Sequence, residues 1–172
     1  MNENSESLPL ESLSAELGRH LADAGLMLAA AESCTGGWIA KSVTDIAGSS
    51  GWFDRGFVTY SDDAKRDMLG VPAETLETWG AVSEQVVREM ALGALAHSTA
   101  RVAVAVSGIA GPGGGSLDKP VGTVCFGFAL RGRLTTETLR FHGDRDAVRR
   151  QSVSHALRRL IGLLVTEMSS DS

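Results

Sequence analysis

The run VAVAV at 102–106 is unbroken apolar sequence, closed by Ser107 and Gly108. A strand that is apolar at every position leaves no side for water and must be covered on both faces. That requirement calls for helices above and below a sheet, and the rest of the chain supplies them. Leu13, Leu17 and Leu21 recur every four residues, which predicts a helix over 12–24 with Ser12 as N-cap and Gly25 as its stop. Residues 27–31 read as a short apolar strand, 36–45 as a helix, and 53–60 as a strand rich in aromatic and β-branched residues. A short helix follows over 62–69, and Pro72 opens another at its first turn. Ser83 caps a longer helix whose apolar face is Val86, Val87, Met90, Ala94 and Leu95. Strands over 122–130 and 134–141 are joined by Arg131, Gly132 and Arg133, a hairpin with glycine in its turn. The last helix begins near Asp144 and turns Val148, Val153, Leu157, Leu160, Ile161 and Leu164 to the core. Strands alternate with helices before the hairpin. The expected fold is therefore α/β: a three-layer α/β/α sandwich on a mixed, mostly parallel sheet of about five strands.

The length of 172 residues suits one domain spanning 1–172, and 43% hydrophobic residues suffice for a full core. The polar, Ser-rich ends, 1–8 and 168–172, are expected to fray, leaving an ordered core over about 10–167. A net charge of -5 argues against a general nucleic-acid binder. Arg149, Arg150, Arg158 and Arg159 read as a solvated helix face. Two cysteines, Cys34 and Cys125, are too few for a disulfide scaffold, and neither sits in a metal-type pair. The start lacks a basic region followed by an apolar stretch, and no run approaches a membrane span. A soluble, cytoplasmic protein is expected, with no membrane partner, no metal and no cofactor.

In open sheets of this kind, ligands bind beyond the C-terminal ends of the parallel strands. Three polar or Gly-rich segments leave strands there: 32–37, 61–65 and 107–115. In the first, Glu32-Ser33-Cys34-Thr35-Gly36-Gly37, a strand-to-helix turn exposes Ser33 as a nucleophile. The N–H groups at Gly36 and Gly37 are placed to hold an oxyanion. The plainer alternative makes Ser33 or Thr35 a helix N-cap. Cys34 is a rival nucleophile, although such a cysteine usually needs a histidine. In the second segment Lys65 is a candidate base, if burial depresses its pKa, and Tyr60 can orient it. Taken alone, the segment reads as carrying one more surface lysine. The third, from Ser107 and Gly108 through Gly111 to Gly115, is a loop whose backbone can wrap a ligand, or a flexible surface loop. Arg145, at the start of the last helix, suits a phosphate held by a guanidinium and a helix N-terminus; an exposed arginine is the alternative.

The runs AESCTGGWIAKSVTDIAGSS, GFVTYSDDAK, GAVSEQVV, SGIAGPGGG, KPVGTV and FHGDRDAVRR occur in one order along residues 10–165. Together they resemble the C-terminal domain of the competence/damage-inducible protein CinA, and within it the stand-alone amidohydrolases. That resemblance implies deamidation of nicotinamide mononucleotide, with Ser33 as nucleophile, Lys65 as base and Tyr60 assisting. It further implies substrate contacts from Cys34, Thr35, Gly36, Gly37, Ser50, Phe53, Ser107, Gly108, Gly111 and Arg145. Serine at 107 replaces the threonine of many members, and three successive glycines at 113–115 make the loop looser. Family habit and an exposed hairpin edge imply a homodimer or a higher even assembly. Two other readings remain open: a non-catalytic nucleotide-binding or regulatory module, and an amidase for another small amide.

Overall fold

The structure, a computed structural model, describes residues 9–170. The chain runs α1 (Leu10–Asp23), β1 (Leu28–Glu32), α2 (Trp38–Thr44), a 3-10 turn (Ser49–Gly51) and β2 (Phe53–Val58). It continues through α3 (Asp62–Leu69), α4 (Ala73–Trp79), α5 (Glu84–Ala96), β3 (Val102–Gly108), β4 (Thr123–Leu130), β5 (Arg133–Arg140) and α6 (Arg145–Ser170). The strands form one sheet in the order β2-β1-β3-β4-β5. β2, β1 and β3 are parallel. β4 and β5 close the other side as an antiparallel hairpin.

Successive side chains of a strand point to opposite faces, so the apolar run at 102–106 feeds two cores at once. Leu28, Ala30, Val102, Val104 and Val106 meet Leu13, Leu17 and Leu21 of α1, Ile39 of α2, and Val153, Leu157 and Leu160 of α6. Ala29, Ala31, Ala103 and Ala105 on the reverse face meet Leu69, Leu76, Val86, Val87 and Met90 from α3, α4 and α5. The second face is lined by alanines, which lets its helices lie close. Each fully buried leucine or valine contributes roughly 1.5–3 kcal/mol. The three-layer α/β/α arrangement is thus the expected one, with α1, α2 and α6 on one side and α3, α4 and α5 on the other.

Several boundaries differ from the sequence expectation. α1 starts at Leu10 with Pro9 as its N-cap, so Ser12 lies inside the helix; Leu10 packs against the core and draws the start back. α2 begins only at Trp38, because Gly36 (φ 60°) and Gly37 (φ 97°) hold the left-handed conformation that ends any helix. Pro72 is the N-cap of α4 instead of its first helical residue. Arg133 pairs with Leu130, leaving a two-residue turn at Arg131 and Gly132, both with positive φ. That is the primed turn whose twist suits a hairpin. α6 runs to Ser170, past the expected fraying point at 168, while 1–8 and 171–172 lie outside the described residues. No helix among the described residues is long and apolar enough to cross a membrane.

Gly93 on α5 allows the close approach that seats α3. A Cβ built there would fall on the Leu69 carbonyl oxygen, and backbone cannot step aside cheaply. Gly93→Ala should destabilise the fold by about 1–3 kcal/mol through overpacking. Denaturant unfolding measures this; an unchanged midpoint would show that α3 does not depend on this contact.

Candidate active site

The three parallel strands end at Glu32, Val58 and Gly108, and the three candidate segments leave from those ends into one crevice. Ser33, Cys34, Tyr60, Asp62, Lys65, Ser107, Gly108 and Arg145 line a cavity of about 220 Å³ there, together with Ala81, Val82 and Ala110. The last three were not expected from the sequence. They give the crevice an apolar wall, two of them from the connection between α4 and α5.

Lys65 is 1% exposed and is among the largest fully buried side chains of the described residues. It sits in the first turn of α3, whose start is capped by the Ser61 hydroxyl accepting the Ala64 N–H at 3.0 Å. Its Nζ donates to Ser33 Oγ at 3.1 Å and to the Thr59 carbonyl at 2.9 Å. No carboxylate forms an ion pair with it among the described residues. Burial therefore pushes its pKa down from the ordinary 10.5, opposed by the charge of Asp62. A lysine, the residue type least often buried, is here directed inward onto a serine oxygen.

Ser33 is 8% exposed on the turn between β1 and α2, and its N–H is tied to the Val106 carbonyl of the neighbouring strand at 2.9 Å. Cys34 follows it but is sealed at 6% exposure, and burial pushes its thiol up to about 12. A thiol with that pKa holds its proton at neutral pH and is a poor nucleophile. Neither Cys34 nor Cys125 forms a disulfide.

The turn is held by two residues that the sequence did not single out. Glu32, 1% exposed, accepts the N–H of Ile39 at 2.8 Å and that of Ala40 at 3.0 Å. Burial raises its pKa, and those two N–H groups oppose the rise. Arg149, from α6, donates to the carbonyls of Cys34 at 3.0 Å and Thr35 at 3.1 Å. The solvated face expected of the late arginines is thus broken at Arg149. A carboxylate ending an apolar strand was the available signal for Glu32; a spacing of four from Arg145 was the signal for Arg149.

The expected oxyanion donors are directed elsewhere. The Gly36 N–H donates to the Ser33 carbonyl at 3.0 Å, and the Gly37 N–H turns toward the Glu32 carboxylate. Thr35 is fully buried and its carbonyl also accepts the Trp38 N–H at 3.1 Å. Ser107 is 1% exposed at the end of β3 and lines the cavity beside Gly108. At the mouth, the Arg145 guanidinium bridges the Gly111 carbonyl at 2.8 Å and the Tyr60 hydroxyl at 2.9 Å. At the start of α6 Asp144 accepts the Ala147 N–H at 2.9 Å. Residues 112–118 of the Gly-rich loop are exposed and stand clear of the crevice lining.

Ser50 and Phe53 are not brought to this crevice within the chain. β1 and β2 run in the same direction, and Phe53 pairs with Leu28 at the start of β1, while Val58 pairs with Glu32 at its end. Phe53 thus lies about 16 Å from the crevice along the strand, and Ser50 is exposed in the turn before it. A larger hollow of about 540 Å³ lies behind the turn, against Trp38 and Arg150, but includes neither Ser33 nor Lys65. No group of acidic, histidine or cysteine side chains suited to a metal occurs among the described residues.

The sequence profile of the CinA C-terminal domain matches residues 10–164. The chain belongs to the CinA C-terminal domain family. A relative from Enterobacter agglomerans, named nicotinamide-nucleotide amidohydrolase PncC, is 62% identical over 149 residues, covering 86% of this chain and 91% of that one. The protein of the same name from Escherichia coli K12 is 59% identical over 152 residues, covering 88% and 92%. Among solved structures, a competence/damage-inducible protein from Agrobacterium tumefaciens superposes with a TM-score of 0.87 at 52% identity, covering 90% of this chain and 94% of that one. The sheet described above is therefore that of the family.

The buried amine makes a signed prediction for stability. Below its lowered folded-state pKa, Lys65 is protonated in both states and its full burial penalty is present. Between that value and 10.5 the unfolded chain alone holds the proton, so this group makes unfolding free energy rise with pH. Lys65→Met should lack that rise. Denaturant titrations of parent and variant from neutral pH upward test it; parallel curves would mean that the amine is not held in a desolvated site.

Proposed function

We propose that this protein hydrolyses the carboxamide of nicotinamide mononucleotide, giving nicotinate mononucleotide and ammonia, through Ser33 and Lys65. The observation that carries the reading is the sealed Nζ of Lys65 at 3.1 Å from Ser33 Oγ. Its support is a chain about 60% identical to proteins named nicotinamide-nucleotide amidohydrolases. A serine hydroxyl needs a base, and an amine whose charge is disfavoured by burial is one. Neutral Lys65 takes the Ser33 proton as Oγ bonds to the carboxamide carbon. Protonated Lys65 then gives that proton to the departing nitrogen, and the C–N bond breaks to release ammonia. Water, losing its proton to Lys65, attacks the acyl-enzyme and frees the carboxylate and Ser33.

The cavity of about 220 Å³ is smaller than the roughly 300–1,000 Å³ of sites for whole drug-sized ligands. It suits the amide-bearing ring, with ribose and phosphate left toward the mouth. There the Arg145 guanidinium, set by Tyr60 and Gly111, meets the phosphate. The pyridinium charge beside Lys65 further disfavours the ammonium and so favours the base form.

Ammonia release from nicotinamide mononucleotide tests the reading directly. Ser33→Ala and Lys65→Ala should each lower turnover by several orders of magnitude in folded protein, while Cys34→Ala retains most of it. kcat/KM should rise with pH as Lys65 loses its proton, with an inflection below 10.5. Undiminished turnover in Ser33→Ala would end the proposal. Binding of the mononucleotide without ammonia release would favour a non-catalytic nucleotide-binding module.

A further inference from the structure

Arg149 reaches from α6 to the back of the Ser33 turn, outside the cavity that holds Ser33 and Lys65. Its Nε and Nη2 donate to two successive carbonyls, those of Cys34 and Thr35. The carbonyl and N–H of a trans peptide point in opposite directions. Holding the Cys34 carbonyl therefore turns the Thr35 N–H away from the guanidinium. The Thr35 carbonyl belongs to the peptide whose N–H, that of Gly36, donates to the Ser33 carbonyl at 3.0 Å. The Ser33 carbonyl belongs in turn to the peptide that carries the Cys34 N–H. One guanidinium thus fixes the planes of three successive peptides.

The N–H groups further along are occupied. Gly36 donates to Ser33, Trp38 to Thr35, and Ile39 and Ala40 to Glu32. Among the described residues no other group accepts the Thr35 N–H, and the Cys34 N–H meets only its own sulfur. In α/β-hydrolases the N–H following the nucleophile is an oxyanion donor. We propose that the N–H groups of Cys34 and Thr35 hold the oxyanion formed when Ser33 attacks, and that Arg149 is the positioning residue that aims them. It acts through the backbone and touches no substrate atom. The inference rests on the amidohydrolase reading of Ser33.

The test compares Arg149→Ala and Arg149→Lys with Arg150→Ala. Arg150 is the proper control because its guanidinium stacks on the same Trp38 ring, 5.2 Å from the centroid against 5.4 Å for Arg149, yet holds no carbonyl of the turn. Misaligned oxyanion donors predict that Arg149→Ala loses kcat by on the order of 10–100-fold, with little change in KM. Arg149→Lys, lacking the planar fork, should fall between. Arg150→Ala should stay within about twofold, as surface substitutions do. Millimolar guanidinium should restore part of the kcat of Arg149→Ala and leave the parent unchanged.

A second readout is the rate at which a fluorophosphonate labels Ser33, followed by mass spectrometry. It needs the same donors and no nucleotide. If the parent labels but releases no ammonia, the substrate reading fails while slower labelling of Arg149→Ala still supports the positioning role. Parental kcat and parental labelling in Arg149→Ala overturn that role, as does a loss carried wholly by KM. Should Arg149→Ala not fold, Arg149→Lys decides by the same two measurements.

Discussion

The interaction on which the rest depends is an amine removed from water and set against a serine oxygen. Lys65 has a carbonyl and a hydroxyl for partners and, among the described residues, no ion pair. A charged ammonium in such a place is costly, so the site favours the form that can accept a proton. That condition is imposed by architecture. β2 delivers the chain to the crevice, Ser61 caps α3 there, and the cap places Lys65 one turn into the helix, pointing back at β1. α3 is seated against α5 where Gly93 leaves room for the Leu69 carbonyl. The alanine-lined face of the sheet that α5 covers is thus part of why a lysine is buried beside Ser33.

Ser33 is positioned from the opposite layer, and by charges of both signs. The Glu32 carboxylate occupies N–H groups of α2, and the Arg149 guanidinium occupies carbonyls of the turn. Each is a charged group in a place where an unbonded charge would be expensive, and each is satisfied by backbone instead of by an opposite charge. Glu32 takes up the positive end of α2, which would otherwise face the crevice. The result is a turn whose N–H groups not taken up by other residues, among those described, lie next to Ser33. A cap formed by serine or threonine would have spent the hydroxyl the chemistry needs; here the preceding glutamate caps α2 and leaves Ser33 free for Lys65.

The sheet was legible because its signal is dense. An apolar run at 102–106 has few readings, and strands that alternate with helices restrict the topology to parallel neighbours with a shared C-terminal edge. Once that edge was drawn, Ser33, Lys65 and Ser107 followed, since each stands within a few residues of a strand end. The turn's supports were less legible. The reach of Glu32 over seven and eight residues depends on how two left-handed glycines fold the chain back, and nothing local marks it. Arg149 resembles its neighbours in composition; its spacing of four from Arg145 sets its helix face, and the packing of α6 beside α2 brings that face to the turn. Ser50 closes the same long motif as Ser33 and Phe53 opens β2, but the parallel pairing of β2 with β1 leaves both at the end of the sheet opposite the crevice. Nearness in a motif is not nearness in the fold.

The placement of α6 gives the site a mechanical unity that no single residue has. Arg145 and Arg149 are four residues apart and so lie on one face of the helix, a turn apart. The first reaches the mouth, where it joins Tyr60 after β2 to Gly111 after β3. The second reaches behind β1 to the Ser33 turn. One rigid helix therefore spans the exits of all three parallel strands. Its inner residues Val148, Val153, Leu157 and Leu160 are fully buried or nearly so, which anchors it against sliding. In the proposed reaction one arginine meets the phosphate end of the substrate, the other sets the turn whose N–H groups hold the oxyanion, and the two cannot move independently. Binding at the mouth and alignment at the turn are then set by the same packing of α6 on the sheet.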